Sequence, residues 1–467
     1  MCRKTAILWC GFCPVWHRYS ILREDPRPGS REIIKQRDVD RDLSLLKRFM
    51  MKEAFRGAAQ SPISIAGAGV AAVGRAGLAG SPCWAGAFSG QRKDRRYYEV
   101  VEDTICRDFD FRYFMIRNGA GDICAIQPYF ILDQDILAGI RGRAIRILTE
   151  FVRRSWPGFM RMRTLMVGCA AGEGHLDGAD ELTRCRHARL LASAIERHAR
   201  DAKASLIVLK EFPPEYRSSL ACFLDRGYTR VPSLPMVCLN LDYADFDDYM
   251  KRGVSGKTRA YLRRNLRATA KADPIEMSVI TDATPIVDEL YPLYLQVYER
   301  STLRFERLTK DYICQIGRAM PDKVRFFVWR QCGRVVAFSL SMMQDDTICN
   351  EYLGLDYTVA LDLHLYFYIF RDIMNWAIAL GYRRCLSSSL NYDPKWHLRF
   401  QLYPLDLYVR HTSRIPNMVL KKLLPLLEPT RYDKTLPRFA NYPELWGSGG
   451  ASSPAFSGGD VRKKEIG

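Results

Sequence analysis

Apolar and polar positions fall into two blocks that repeat one order of elements. From Tyr98 to Asp242, and again from Val324 to Thr412, a strand hairpin leads into a helix, a strand, a second helix and further strand material. The first block opens at YYEVVED. RYFMIRN and ICAIQPYFIL then flank GAGD, whose glycines supply the positive φ of a hairpin turn. Ile140 to Trp156 has apolar residues at helical spacing, and Pro157 stops it. MRTLMVGC and ASLIVLKEF read as buried strands on either side of a long helix, Glu181 to Ala202, and EYRSSLACFLDRG reads as a helix before the strand material YTRVPSLPMVCLNL. Short apolar strands alternating with helices require crossover connections and parallel pairing.

The second block repeats the scheme. VRFFVWR and VVAFSLSMMQ flank QCGR as another hairpin, and NEYLGLDY follows. A helix from Leu363 to Leu380 ends at Gly381, a C-terminal stop. RRCLSSSL is the next strand, NYDPKWHLRFQL a loop with a short helix, LYVRHT a last strand, and Asn417 to Leu427 a closing helix. Between the blocks, FDDYMKRGVSGKTRAYLRRNLRATAKA is a basic amphipathic helix interrupted near Gly253 to Gly256, followed by a helical pair. The expected class is α/β (α+β), two mixed-sheet domains in tandem. The expected divisions are a Gly/Ala-rich, disordered extension over 1–95, domains at 96–243 and 321–446 around a helical linker at 244–320, and a disordered tail at 447–467.

Composition narrows the class. At 467 residues with 48% hydrophobic content, the chain supports two cores. No stretch reaches the roughly 20 apolar residues of a membrane span, and no clean signal peptide opens the chain. The fourteen cysteines are scattered without framework spacing, as reduced thiols of a cytoplasmic protein are. A net charge of +18 suits anionic partners such as nucleotide cofactors, phosphorylated sugars, tRNA or a membrane surface, and equally a merely Arg-rich surface, so the sign of charge alone does not decide.

VGCAAGEGHLDG, Val167 to Gly178, lies between a buried strand and a long helix. Gly168, Gly172, Gly174 and Gly178 let the backbone approach a ligand, and the following helix start offers free N–H groups. That makes Gly168, Gly172, Gly174 and His175 candidates for holding a cofactor, with Glu173 beside them. A flexible glycine turn is the competing reading. The spacing is not that of a dinucleotide loop.

The doubled order, together with DFDDYMKRGVSGKTRAYLRRNLR, EYLGLDY, HLYFYIFRDIMNWAIALGYRR and SLNYDPKWHLRF, resembles the GNAT superfamily of N-acyltransferases, in particular its tandem FemAB-like and BioF-like branch. The resemblance covers about Tyr97 to Trp446 and implies transfer of an acyl group from a thioester or an aminoacyl-tRNA to an amine. The usual pyrophosphate loop, Q/R-x-x-G-x-G/A, is absent in clean form from both halves.

Splayed strands in such a fold free backbone N–H groups for a thioester arm and its developing oxyanion. Glu351, Asp356, Tyr357 and His364, in EYLGLDYTVALDLH, are candidates for the proton transfer, against the reading of these tyrosines as core aromatics. Asn391, Asp393, Lys395, His397 and Arg399 crowd one loop after a strand end, where Lys395 and Arg399 at four-residue spacing would share a helix face and hold an anion, against the equal reading of a Pro-initiated helix with a solvated basic face. Tyr298, Arg300, Arg304 and Glu306 offer acceptor-cleft contacts, although an ion-pair cluster explains them as well. Arg259, Arg263, Arg264 and Arg267 form a basic stripe able to follow a phosphate backbone, although a solvated helix face between domains is the commoner meaning of such a run.

WCGFC and IAGAGVAAVGRAG imitate a redox motif and a nucleotide loop but lack the strand–helix frame each needs. The expectation is a cytoplasmic, bacterial-type N-acyltransferase using an acyl-CoA-type thioester and an amine acceptor, without a metal. Asp356, His364 and His397 are its expected catalytic residues; Tyr298, Arg300, Asn391, Lys395 and Arg399 its expected substrate contacts. The alternatives are aminoacyl-tRNA-dependent transfer to a cell-wall precursor or protein, and an inactive pair serving as a basic binding module.

Overall fold

The structure, a computed structural model, describes residues 69–105, 109–135, 150, 153–154, 161–301 and 305–447. All of them lie in one compact unit. WCGFC, Arg304, most of the helix expected over Ile140 to Trp156, and the tail lie outside the described residues.

In chain order the strands are β1 (Gly69–Val73), β2 (Asp110–Arg117), β3 (Ile123–Asp135), β4 (Arg161–Val167), β5 (Leu206–Phe212), β6 (Thr229–Pro232), β7 (Met236–Asn240), β8 (Ile275–Ile280), β9 (Val324–Gln331), β10 (Arg334–Gln344), β11 (Thr347–Leu355), β12 (Arg384–Ser387), β13 (Gln401–Tyr403) and β14 (Asp406–His411). They form two mixed seven-stranded sheets, β1-β2-β3-β4-β5-β14-β6 and β13-β7-β12-β11-β10-β9-β8. Written from the outer edge inward, the two orders are the same, with one exchange. β14, from the end of the chain, inserts between β5 and β6, and β7, from the first half, inserts between β12 and β13. Each sheet is therefore completed by a strand of the other half, and no cut near residue 243 separates them.

Two expectations, the extension and the helical linker, need correction. Residues 69–95 belong to the fold: β1 pairs antiparallel with β2, and Arg92 and Lys93 are buried. The YYEVVED stretch is helical, within Arg95–Thr104, capped by Asp94, whose side chain accepts from the Arg96 N–H. The segment at 244–320 is not only a helical linker, because β8 pairs with β9 and forms the outer strand of the second sheet. Its basic stretch does divide as expected, into helices Phe246–Arg252 and Gly256–Thr269 capped by Asp245 and Ser255.

Helix Glu181–Asp201 buries Ala188, Leu191, Ala192 and Ile195 against one face of the first sheet. The other face shares a core with the second sheet, in which Met166 and Val208 join Val328, Phe338 and Leu340. One continuous apolar core thus spans both halves. Among the described residues no helix is long and apolar enough to cross a membrane.

Candidate active site

Each sheet holds one parallel pair that parts at its C-terminal end. β4 and β5 pair as far as Val167↔Leu209, and β11 and β12 as far as Asn350↔Ser387. β11 then runs on to Leu355 against β10. The edge of residues 351–355 toward β12 lies outside that ladder, and its backbone groups can bind an extended ligand. A register shift between Leu340 and Ser341 makes Glu351 the extra residue of a bulge at the point of parting. Gly354 is required there, since a Cβ would stand 2.1 Å from the Phe338 ring.

At this point the two halves meet through charge. Arg92 lies 2.6 Å from Glu173 and 3.2 Å from Glu351. Lys93 Nζ lies 2.8 Å from Glu173 and 3.2 Å from Glu351. Burial works against the Glu173 charge, yet Arg92 and Lys93 hold its carboxyl well below the usual range. Burial likewise opposes the Lys93 charge, which Glu173 and Glu351 hold raised. His175 Nε2 is 3.1 Å from Glu173, and its Nδ1 is 3.2 Å from the Tyr216 hydroxyl.

The glycine loop is therefore built with a polarity opposite to the expected one. Gly172 O accepts from Lys210 Nζ at 2.8 Å, Ala171 O from the Tyr97 hydroxyl at 2.9 Å, and His175 O from Gln127 at 2.9 Å. These are acceptors facing the protein's own donors, not N–H groups facing a phosphate. A Cβ on Gly172 would fall 2.0 Å from Lys93 Nζ, and one on Gly174 2.6 Å from Lys210 O. Gly168 is held at φ 120° against Gly174 and Lys210. The glycines serve this close packing, and the first sheet's opening is filled from within.

A second polar group stands beside the bulge. The Tyr352 hydroxyl donates to Glu306 Oε1 at 2.8 Å. Burial lifts Glu306 above the ordinary carboxylate value, while nearby Lys210 and the Tyr352 bond restrain the rise. Burial also holds the Tyr352 phenol protonated, far above its ordinary range. Lys210 Nζ donates to Glu211 at 2.6 Å, and Glu211 accepts from Ser233 at 3.2 Å. Glu306, Tyr352 and Glu211 are half-buried, so the cluster is reachable from solvent.

The other expected residues divide. Asp356 is buried and committed locally, accepting from Thr358 N at 3.0 Å, Thr358 Oγ1 at 2.6 Å and Arg334 at 2.6 Å. His364, at φ 47°, precedes helix Leu365–Ala379, and burial with Arg264 nearby lowers its pKa. Arg300 stacks 4.1 Å from the Tyr357 ring, and Tyr298 packs its ring against Tyr294. Lys395 and Arg399 do not share a helix face. The helix ends at His397, Arg399 lies beyond it at φ 60°, and buried Lys395 turns inward. Its Nζ donates to Ser388 O at 2.5 Å and Leu390 O at 2.9 Å, closing the turn in which Leu390 and Asn391 both take positive φ. Burial lowers the Lys395 amine to about 7. His397 is half-buried, 3.9 Å from Asp393, and lowered by burial.

Helix Gly256–Thr269 links these positions. Lys257 near its start acts on His397, and Arg264 acts on His364. Thr269 donates to Leu363 O at 2.7 Å, and Tyr261 packs edge-on to Phe367. Lys257, Arg263, Arg264 and Arg267 are exposed along it. Arg92, Lys93, Lys210 and Glu211 were not singled out by sequence. Arg92 and Lys93 sit in QRKDRR, which looks like a solvated basic run. Among the described residues no group of three or more His, Cys, Asp or Glu could hold a metal ion.

Residues 256–387 match the family model described as Acetyltransferase (GNAT) domain. No curated protein matches the chain. Among solved structures it is similar to L-PGS from Bacillus licheniformis, 14% identical over 71% of this chain and 95% of that chain, with a TM-score of 0.42. It is similar to FemX at 10% identity over 70% and 93%, with a TM-score of 0.44. A tandem GNAT protein from the clavulanic acid biosynthesis pathway is 12% identical over 68% and 88%, with a TM-score of 0.37.

Proposed function

We infer that this chain, a GNAT-type acyltransferase by the domain that residues 256–387 carry, moves an acyl group from an acyl-CoA-type thioester to an amine. One observation carries the reading: Glu351, Tyr352 and Glu306 stand where β11 and β12 part. The free edge of residues 351–355 receives the thioester arm, and the basic helix receives its phosphates. The acceptor amine enters beside Glu306 and Glu211, whose carboxyls favour a cationic group. Glu306, with its raised pKa, takes the proton as the amine nitrogen attacks the acyl carbon. The carbon–sulfur bond breaks, and the Tyr352 hydroxyl gives its proton to the departing thiolate. The proton taken up by Glu306 passes along their 2.8 Å hydrogen bond to Tyr352, restoring both groups. The described cysteines are all free, which supports a reducing, cytoplasmic setting.

Thermal unfolding of the full chain against CoA, acyl-CoAs of several lengths and charged tRNA tests the donor. A ligand at about 100 times its Kd adds roughly 2.7 kcal/mol. A raised midpoint with one acyl-CoA supports the reading; a rise with charged tRNA alone overturns it. That second outcome is the aminoacyl-tRNA reading, favoured by the exposed row of Lys257, Arg263, Arg264 and Arg267.

A further inference from the structure

Helix Arg414–Leu427 breaks the usual division between a buried apolar face and a polar one. It carries Ile415, Met418, Val419 and a run of leucines, yet among its described side chains only Asn417 is buried. Asn417 anchors the helix by donating to Gly227 O at 3.0 Å, and Leu420 and Leu424 lean on the shared core. The opposite face points outward. Ile415 is 41% exposed and Met418 67% exposed, among the largest apolar exposures in the described chain.

The charges on that face have one sign. Arg414, Lys421 and Lys422 are exposed on it, and no acidic residue occurs from Leu407 to Leu427. At spacings of three, four and seven, Arg414, Ile415, Met418, Lys421 and Lys422 share the outer surface. Gly227 lies against Lys421, and the preceding Arg226 is exposed, with Asp225 the neighbouring acid. Arg410, at the helix entry, is paired with Glu196. Aliphatic side chains framed by cations, on a helix anchored from behind, match the boundary between headgroups and acyl chains of an anionic bilayer.

We propose that helix Arg414–Leu427 seats the protein on an anionic membrane surface. Ile415 and Met418 enter the headgroup boundary, and Arg414, Lys421 and Lys422 contact lipid phosphates. The full chain is mixed with phosphatidylcholine vesicles, with and without phosphatidylglycerol, and sedimented. Binding is expected with phosphatidylglycerol and absent without it. Each basic residue near such a surface is worth about a fivefold change in partitioning, so Lys421→Glu/Lys422→Glu loses about 25-fold or more. Met418→Asp, at an exposed position, loses binding comparably with an unchanged unfolding midpoint. Arg263→Ala/Arg264→Ala/Arg267→Ala, on the other basic helix, leaves vesicle binding intact. The proposal is overturned by absent or charge-independent vesicle binding, by Met418→Asp binding as the parent does, or by loss confined to the Arg263 triple variant. Complete displacement by inorganic phosphate overturns it in favour of a free-anion site. A lipid-free dimer that Met418→Asp dissociates overturns it in favour of a second copy.

Discussion

The Tyr352 hydroxyl donates a hydrogen bond to Glu306 at 2.8 Å, one residue beyond the bulge at which β11 and β12 begin to part. A carboxyl with a raised pKa is thereby placed beside a protonated phenol, at the edge where an acyl group would lie. Among the described residues neither is in a salt bridge. Their pairing is the one on which the proposed proton transfer rests.

Glu306→Gln is expected to lower kcat by about 100-fold or more, the scale of a lost general base. The wild-type rate falls at acid pH as Glu306 takes up its proton, at a pH above the ordinary glutamate value of about 4.3. The variant loses that limb. Burial has raised the folded pKa, so the charged carboxylate costs stability as pH rises through it, and Glu306→Gln should unfold at the same or a higher temperature near neutral pH. A pH–rate profile and a melting curve check both; a destabilised variant with an unchanged acid limb contradicts the assignment.

Lys93→Met removes one cation from the buried quartet and leaves Glu173 and Glu351 to share Arg92. Loss of one partner from a buried ion pair costs about 3–5 kcal/mol. Lys93→Met/Glu173→Gln should recover part of it, measured as a double-mutant cycle in urea. The depressed Glu173 pKa also sets a sign. Its contribution is complete above the unfolded value of about 4.3 and disappears as pH falls through the lower folded value.

Lys395 gives a pH dependence of opposite origin. Its folded pKa of about 7 lies below the unfolded value near 10.4. The cost of burying the ammonium is full below about pH 7 and fades as pH rises toward about 10.4. A neutral amine still has two N–H groups for Ser388 O and Leu390 O. Lys395→Met leaves both carbonyls without that donor, a loss of roughly 1–3 kcal/mol. The deficit relative to wild type should be larger at about pH 9.5 than at about pH 6.5. Equal deficits in urea titrations at the two values would contradict it.

The exchange of β7 and β14 makes each sheet dependent on the other half. Residues 69–243 and 244–447, expressed apart, should each fail to give a cooperative unfolding transition, and co-expression should restore one. Two independently folded fragments, seen as two sharp transitions, would contradict the exchange.

The sequence showed the hairpins, the order of elements and the basic helix pair, because GAGD, QCGR and the helical apolar spacing are local signals. Partner choice is not local. LYVRHT reads as a strand, but nothing within it says that it pairs with β5 of the other half. PIEMSVI, half-exposed at a sheet edge, lacks the apolar run that marked the inner strands and passed for linker. In the site, Glu306 and Lys395 were legible as residue types, whereas their orientation was not. Arg92 and Lys93 look like solvated charge until Glu173 and Glu351 are brought to them by the fold.

Transfer itself is the most direct test. The full chain is incubated with acyl-CoAs and a panel of primary amines, and free thiol and N-acyl product are followed together by absorbance and mass spectrometry. Equal amounts of thiol and N-acylated amine, with turnover lowered about 100-fold or more by Glu306→Gln, are the expected result. Absence of product from every thioester, with acyl transfer appearing only when charged tRNA is supplied, would contradict the thioester assignment.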